Sequence, residues 1–241
     1  MTYAARVAAT RRTRRRPALL VAALALTVLS ACSGGGDSPK GETPEDVLAH
    51  AKTQLDETSG VSIEISTPGL PSGVSGLTSA TGVGTHAPAF EGDITVSMSG
   101  VNADVPVIAV GGKVYAILPF TRDYDEIDPS AYQAPDPAAL MNTTDGLSDL
   151  LGRATGVEEG EKVRDGSAVL TSYTATVPGS VVSTIIPSAQ QDAGFAAEFT
   201  IDDDGRLVEA TMTGPFYPAT DEVTYSVRFV EYDVEQEITA P

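Results

Sequence analysis

Few groups in this sequence can do chemistry: 241 residues carry one thiol, two imidazoles and 33 carboxylates against 15 basic side chains. The thiol, Cys32, stands in Leu29-Ser30-Ala31-Cys32 and is followed by Ser33-Gly34-Gly35-Gly36. A lone cysteine supports neither a disulfide framework nor a cysteine-rich zinc site. Leu-Ser-Ala-Cys instead fits the bacterial lipobox, in which a diacylglyceryl group joins the sulfur and the chain is cut before the cysteine. The residues ahead agree. Arg6, Arg11, Arg12, Arg14, Arg15 and Arg16 precede an apolar run from Pro17 to Leu29. That run is a signal-peptide core, too short for the roughly 20 residues of a membrane span. A buried free thiol, the common fate of a single cysteine, does not suit a position between a signal core and a glycine run. The arginine pair at 11–12 leaves the export route open.

The remaining polar groups do not assemble a catalyst. Gly73-Val74-Ser75-Gly76 and Gly146-Leu147-Ser148-Asp149 both break the Gly-x-Ser-x-Gly elbow that exposes a nucleophilic serine. His50 falls at the edge of a helical pattern and His86 in a Gly/Pro-rich loop, and both read as surface residues. Asp202-Asp203-Asp204-Gly205 lacks the acidic spacing of a calcium loop, because Thr200 and Thr211 fall at its first and last positions. It reads as a hairpin turn. Glu158-Glu159 and Asp123, Asp125 and Glu126 sit in charged stretches with nothing to desolvate them. No phosphate-binding loop and no dinucleotide fingerprint occurs. The expectation is therefore no enzyme, no catalytic residue, no cofactor and no metal. A formal net charge of −18 argues against nucleic acid, which needs a basic face. It reads as a solvated, solubilising surface.

Residues 1–31 are expected as the signal peptide, 32–43 as a lipidated N-terminus with a flexible Gly-rich tether, and 44–241 as the folded domain. A helix begins at Thr43-Pro44-Glu45-Asp46, with a cap, a first-turn proline and acids at the positive end. Val47, Leu48, Ala51 and Leu55 form its apolar stripe and Gly60 its expected close. Val61, Ile63 and Ile65, then Ile94, Val96 and Met98, alternate with polar residues as half-buried strands do. Val105–Val110 and Val114–Leu118 flank Gly111-Gly112, a hairpin signal. Both are apolar on either face, so they are expected at the centre of a sheet. Residues 119–135 read as loop, 137–141 as a short helix, and 144–151 as a second, capped by Thr144. Residues 157–166 read as a charged connection, 168–177 as a strand, and 178–186 as a third helix. The last fifty residues read as a strand meander. The sum is an α+β domain, an antiparallel sheet covered by short helices.

A one-sided sheet under short helices either packs solid or encloses an apolar cavity. The sequence alone leaves the two readings level. If there is a cavity, its wall is expected to include Ile94, Val96, Met98, Val107, Ile117, Leu147, Leu150, Leu151 and Phe199. Residues two apart on a strand, and three or four apart on a helix, share a face.

Several segments together resemble a known family. They are the lipobox ending at Cys32, DVPVIAVGGKVYAIL at 104–118, Asp136-Pro137, and Gly146-Leu147-Ser148-Asp149-Leu150-Leu151. DDDGRLVEATMT at 202–213, Gly214-Pro215-Phe216-Tyr217 and YDVEQEITAP at 232–241 follow in order. Over about residues 43–241 the chain resembles the LppX/LprA/LprF/LprG lipoproteins of actinobacteria and, through them, the LolA/LolB-like fold. The resemblance implies a strongly curved half-barrel of antiparallel strands over helices, around an apolar cavity that holds acylated lipid or glycolipid. It implies no catalytic residue. The expected protein is a cell-envelope lipoprotein, anchored through Cys32 on the outer face of the cytoplasmic membrane, that carries or presents lipid, with a lipid exporter as an open partner. The alternative is a structural or regulatory lipoprotein with a filled core and a protein partner.

Overall fold

The computed structural model describes residues 42–98, 100–132, 134–218 and 222–241. The signal segment, Cys32 and residues 33–41 of the tether lie outside the described residues. Helix α1, Pro44–Glu57, forms where the capping residues predict it. The Thr43 hydroxyl accepts from the Asp46 N–H (3.2 Å) and the Asp46 carboxylate accepts from the Thr43 N–H (3.1 Å), a reciprocal capping box. Leu48, Ala51 and Leu55 bury the stripe. The helix stops at Thr58, which is extended, so Gly60 is not its cap. Gly60 instead opens the first strand, where a Cβ would lie 2.7 Å from the Val234 carbonyl oxygen.

Six strands follow: β1 Gly60–Ser66, β2 Gly76–Thr85, β3 Ala89–Met98, β4 Val101–Val110, β5 Lys113–Ala116 and β6 Asp125–Ile127. A helical stretch comes next, with 3₁₀ turns at Pro129–Tyr132 and Pro137–Met141 and helix α2 at Leu147–Arg153. Then come β7 Thr155–Asp165, β8 Ala168–Pro178, helix α3 Gly179–Ile185, β9 Gly194–Ile201, β10 Leu207–Gly214 and β11 Val223–Tyr232. Among the described residues these form one antiparallel sheet in the order β6-β5-β4-β3-β2-β1-β11-β10-β9-β8-β7. Two meanders therefore stand back to back, joined where β1 pairs with β11. The edge strands β6 and β7 do not pair with each other, so the half-barrel stays open.

Register assigns the two faces. Ile63 stands opposite Gly82 and Phe229, Ala210 opposite Phe199, and Phe199 opposite Tyr173. These residues share the inner face, which α1, α2 and α3 cover. Lys52 ties α1 to the α2 segment, its Nζ donating to Asp56 (2.8 Å), the Thr143 carbonyl (2.8 Å) and the Ser148 hydroxyl (3.2 Å). The outer face is polar. Thr211 and Thr213 hydrogen-bond Ser226 and Thr224 across β10 and β11 at 2.8 and 2.7 Å.

Four expectations need correction. Residues 157–165 belong to strand β7, an edge strand on which Val157 alone is buried, and Gly166 belongs to the turn that follows. Charges on an edge discourage pairing with other chains. β4 and β5 lie near one edge rather than at the centre. Their outer face is apolar because the C-terminal tail covers it, with Ile238 packed on Ala89 and Ile108. Thr144 does not cap α2, whose N-cap is Gly146; its hydroxyl turns back to the Asn142 side chain. Residues 125–127, expected as loop, pair with β5 as β6.

Candidate functional site

The inner face gathers most of the expected wall residues. Ile94, Val96 and Met98 stand opposite Val105, Ala103 and Val101, and Val107 follows Val105 on the same side. Helix α2 brings Leu147, Leu150 and Leu151 over this face, and β9 adds Phe199. Val107, the three leucines and Phe199 are buried in one continuous apolar core. Ile94 and Val96 are half-buried against it, while Met98 is 45% exposed. Ile117 does not join them. Val107 pairs with Ala116, and the Ile117 N–H continues that register to the Pro106 carbonyl (3.1 Å). Successive residues point to opposite faces, so Ile117 follows Tyr115 onto the outer side.

Burial along the inner face is graded. At the end of the sheet bearing the β2–β3 hairpin, Met141 and Phe90 pack over β2 and β3. Gly82 faces Gly92 there, and the Phe90 ring lies across both. A Cβ on Gly82 would sit 2.5 Å from that ring and 2.6 Å from the Glu91 carbonyl oxygen. At the other end, Ile65, Leu70, Ile94, Val96 and Leu118 are only half-buried, and Met98 and Val101 reach solvent. The β1–β2 loop, the β3–β4 hairpin and the β5–β6 connection all lie at this end, as antiparallel pairing requires. The apolar inner face thus opens there.

The tyrosine hydroxyls near this face are occupied. The Tyr225 hydroxyl donates to the Leu77 carbonyl (2.8 Å) and meets the Tyr217 hydroxyl at 2.8 Å. Burial, then the bond with Tyr217, pushes the Tyr225 phenol far above its ordinary range, so it stays neutral. Phe195, Phe216 and Tyr225 stack edge to face at 4.9 and 5.0 Å behind it. A cleft of about 420 Å³ lies toward the opposite end, lined by Glu42, His50, Tyr173 and Asp202–Asp204. Its carboxylates make it unsuited to acyl chains. Among the described residues no group of three or more His, Cys, Asp or Glu could hold a metal ion, and no helix is long and apolar enough to cross a membrane. His86 is not a free surface residue: its Nε2 lies 2.9 Å from the Leu55 carbonyl at the end of α1. His50 is exposed and lies against the Gly205 turn.

Residues 43–239 match the profile of the LppX_LprAFG lipoproteins. The chain belongs to the LppX_LprAFG lipoprotein family. The lipoarabinomannan carrier protein LprG of Mycobacterium tuberculosis (strain ATCC 25618 / H37Rv) is 27% identical over 144 residues, 58% of this chain and 60% of that protein. LprG of Mycobacterium bovis (strain BCG / Pasteur 1173P2) gives the same figures. The match spans about three fifths of the length of these curated relatives. Among solved structures, LprF of Mycobacterium bovis superposes with a TM-score of 0.66 at 14% identity, covering 82% of this chain and 96% of LprF. LppX of Mycobacterium tuberculosis gives 0.55 at 18% identity, covering 80% and 98%. At these identities the two LppX_LprAFG structures show the shared fold.

Sequence reasoning missed Leu70, Val101 and Phe120 at the open end. One signal was available. Residues 67–75 and 117–121 contain no Asp, Glu, Lys or Arg in an otherwise strongly acidic chain.

Proposed function

We propose that this chain is a non-enzymatic cell-envelope lipoprotein that binds the acyl chains of a lipid or glycolipid along its inner face and carries or presents them. The observation that carries this reading is the open end of that face, where half-buried Ile94 and Val96 and exposed Met98 continue the apolar core outward. Each Å² of acyl surface buried there contributes about 25 cal/mol, with no need for polar contacts. The lid over the rest is easily displaced. Helices α2 and α3 have seven residues each and no side-chain hydrogen bond at either N-cap. Beside the Lys52–Ser148 hydrogen bond on α2, their apolar faces hold them, and an acyl chain replaces that contact in kind. The family membership and the carrier name of LprG support the reading. Anchoring through Cys32 on the outer face of the cytoplasmic membrane, and delivery to or from a lipid exporter, complete it.

A filled core with a protein partner is the second reading, favoured by the close packing of Leu147, Leu150, Leu151 and Phe199. Native mass spectrometry of the purified protein separates the two. The carrier reading expects a non-covalent lipid. Val96→Trp should expel it and leave the melting temperature nearly unchanged, because Val96 sits at the half-exposed end. Leu150→Gln buries an amide, which costs about 1–3 kcal/mol and lowers the melting temperature by several degrees. If the unmutated protein carries no lipid and Val96→Trp also unfolds the domain, the filled-core reading holds.

A further inference from the structure

Register sorts the inner face of β1–β4 into rows that run across the strands. In the row nearest the β2–β3 hairpin, Val61, Gly84, Phe90 and Ala109 stand side by side. In the next row Gly82 faces Gly92. Phe90 is 2% exposed, whereas Ile94, one row beyond Gly92 on the same strand, is half-buried. Between these positions the apolar face passes from covered to half-open.

Two side chains close it, not the sheet itself. Gly82 and Gly92 leave the middle of their row bare, at an entropic cost that strand interiors normally avoid. The Phe90 ring fills the gap. It leans out of its own row toward the open end, with Cζ 2.5 Å from where a Gly82 Cβ would lie and 3.0 Å from that of Gly92. Its neighbours in its own row, Gly84 and Ala109, have almost no bulk of their own. Met141 covers Gly84, its Cγ 2.6 Å from where a Cβ would lie, and is 4% exposed. It ends the 3₁₀ turn Pro137–Met141, and its unbranched thioether packs adaptably. Without these two side chains a hollow would remain over Gly82, Gly84 and Gly92.

We propose that Phe90 and Met141 form the end wall of the acyl-binding face and set the length of chain the protein accepts. The proposal rests on the carrier reading. Strand β3 supplies the ruler: from Phe90 to Met98 it rises about 3.4 Å per residue, roughly 27 Å in all. Each methylene that finds cover along this path raises affinity roughly fourfold. The gain ends where the terminal methyl meets the ring and the thioether. Both are apolar, so the wall rejects longer chains by volume alone.

The purified full chain is incubated with an equimolar series of saturated lysophosphatidylcholines, from lauroyl to behenoyl, and native mass spectrometry reads which are bound. Occupancy should rise with chain length and stop rising at one length. In Met141→Ala and in Phe90→Leu that length should increase by roughly two methylenes, about the bulk removed. Phe195→Leu is the control. Its ring is as deeply buried but packs on Phe216, away from the wall, so the length should not move. An unmoved length in both wall variants overturns the proposal. An equal shift in Phe195→Leu also overturns it, because general loosening would then be the cause. If near-UV circular dichroism shows that Phe90→Leu does not fold, Met141→Ala decides alone. An unmutated chain that binds no lysophosphatidylcholine removes the carrier reading and the end wall with it; binding with an unmoved length removes the end wall only.

Discussion

Tyr225 and Tyr232 are the residues on which burial acts most strongly. Each hydroxyl donates to a backbone carbonyl, that of Leu77 at 2.8 Å and that of Leu207 at 2.9 Å. Burial is the main cause that raises both phenol pKa values, helped by Tyr217 in the first case and by the Asp202 charge in the second. The sign follows directly. Above the ordinary phenol value of about 10, the unfolded chain releases these protons while the folded chain keeps them. The stability they contribute is complete below that pH and is lost as pH rises beyond it. Denaturant midpoints measured against pH should therefore stay level through neutrality and fall above about pH 10. Tyr225→Phe should flatten part of that fall while costing about 1 kcal/mol at neutral pH, because the Leu77 carbonyl loses its donor. A profile that stays level to about pH 11 would mean that the phenols titrate as in the unfolded chain.

Strands β2 and β3 depend on what their glycines omit. An alanine Cβ at Gly82 would meet the Glu91 carbonyl at 2.6 Å as well as the Phe90 ring, and backbone cannot yield. At Gly84 it would meet the Met141 Cγ at 2.6 Å, on a side chain that can turn away. Gly82→Ala should therefore cost about 1–3 kcal/mol and Gly84→Ala less. Thermal melts of the two variants check this, and equal losses would contradict it. The same elements show what the sequence makes legible. Helix α1 could be read because Thr43, Pro44 and Asp46 act within one turn. β1, β3, β9 and β11 could be read because one face is buried and the other wet. β7 could not, since an edge strand with one buried side chain has no alternation to detect. β4 and β5 misled because Ile238, far along the chain, buries their outer face. Leu147, Leu150 and Leu151 were legible as a helical stripe. Ile117 was not, because its face is set by strand register.

At the scale of the molecule, the proposed lipid anchor has to hold an acidic body against an anionic surface. An acyl chain contributes about 0.8 kcal/mol per buried methylene. Cys32→Ala should therefore move the protein from the membrane to the soluble fraction, as cell fractionation with immunoblotting would show. Retention in the membrane would count against the anchor. The pairing of β1 with β11 has a different consequence, for how the domain assembles. Each meander can zip from its own hairpins, but the central seam joins residues such as Glu64 and Arg228, 164 positions apart. Closing so long a loop is entropically costly and slow. The first strand made must wait with an unpaired edge until the last is released, so the order of synthesis sets the order of assembly and the half-barrel locks last at its middle.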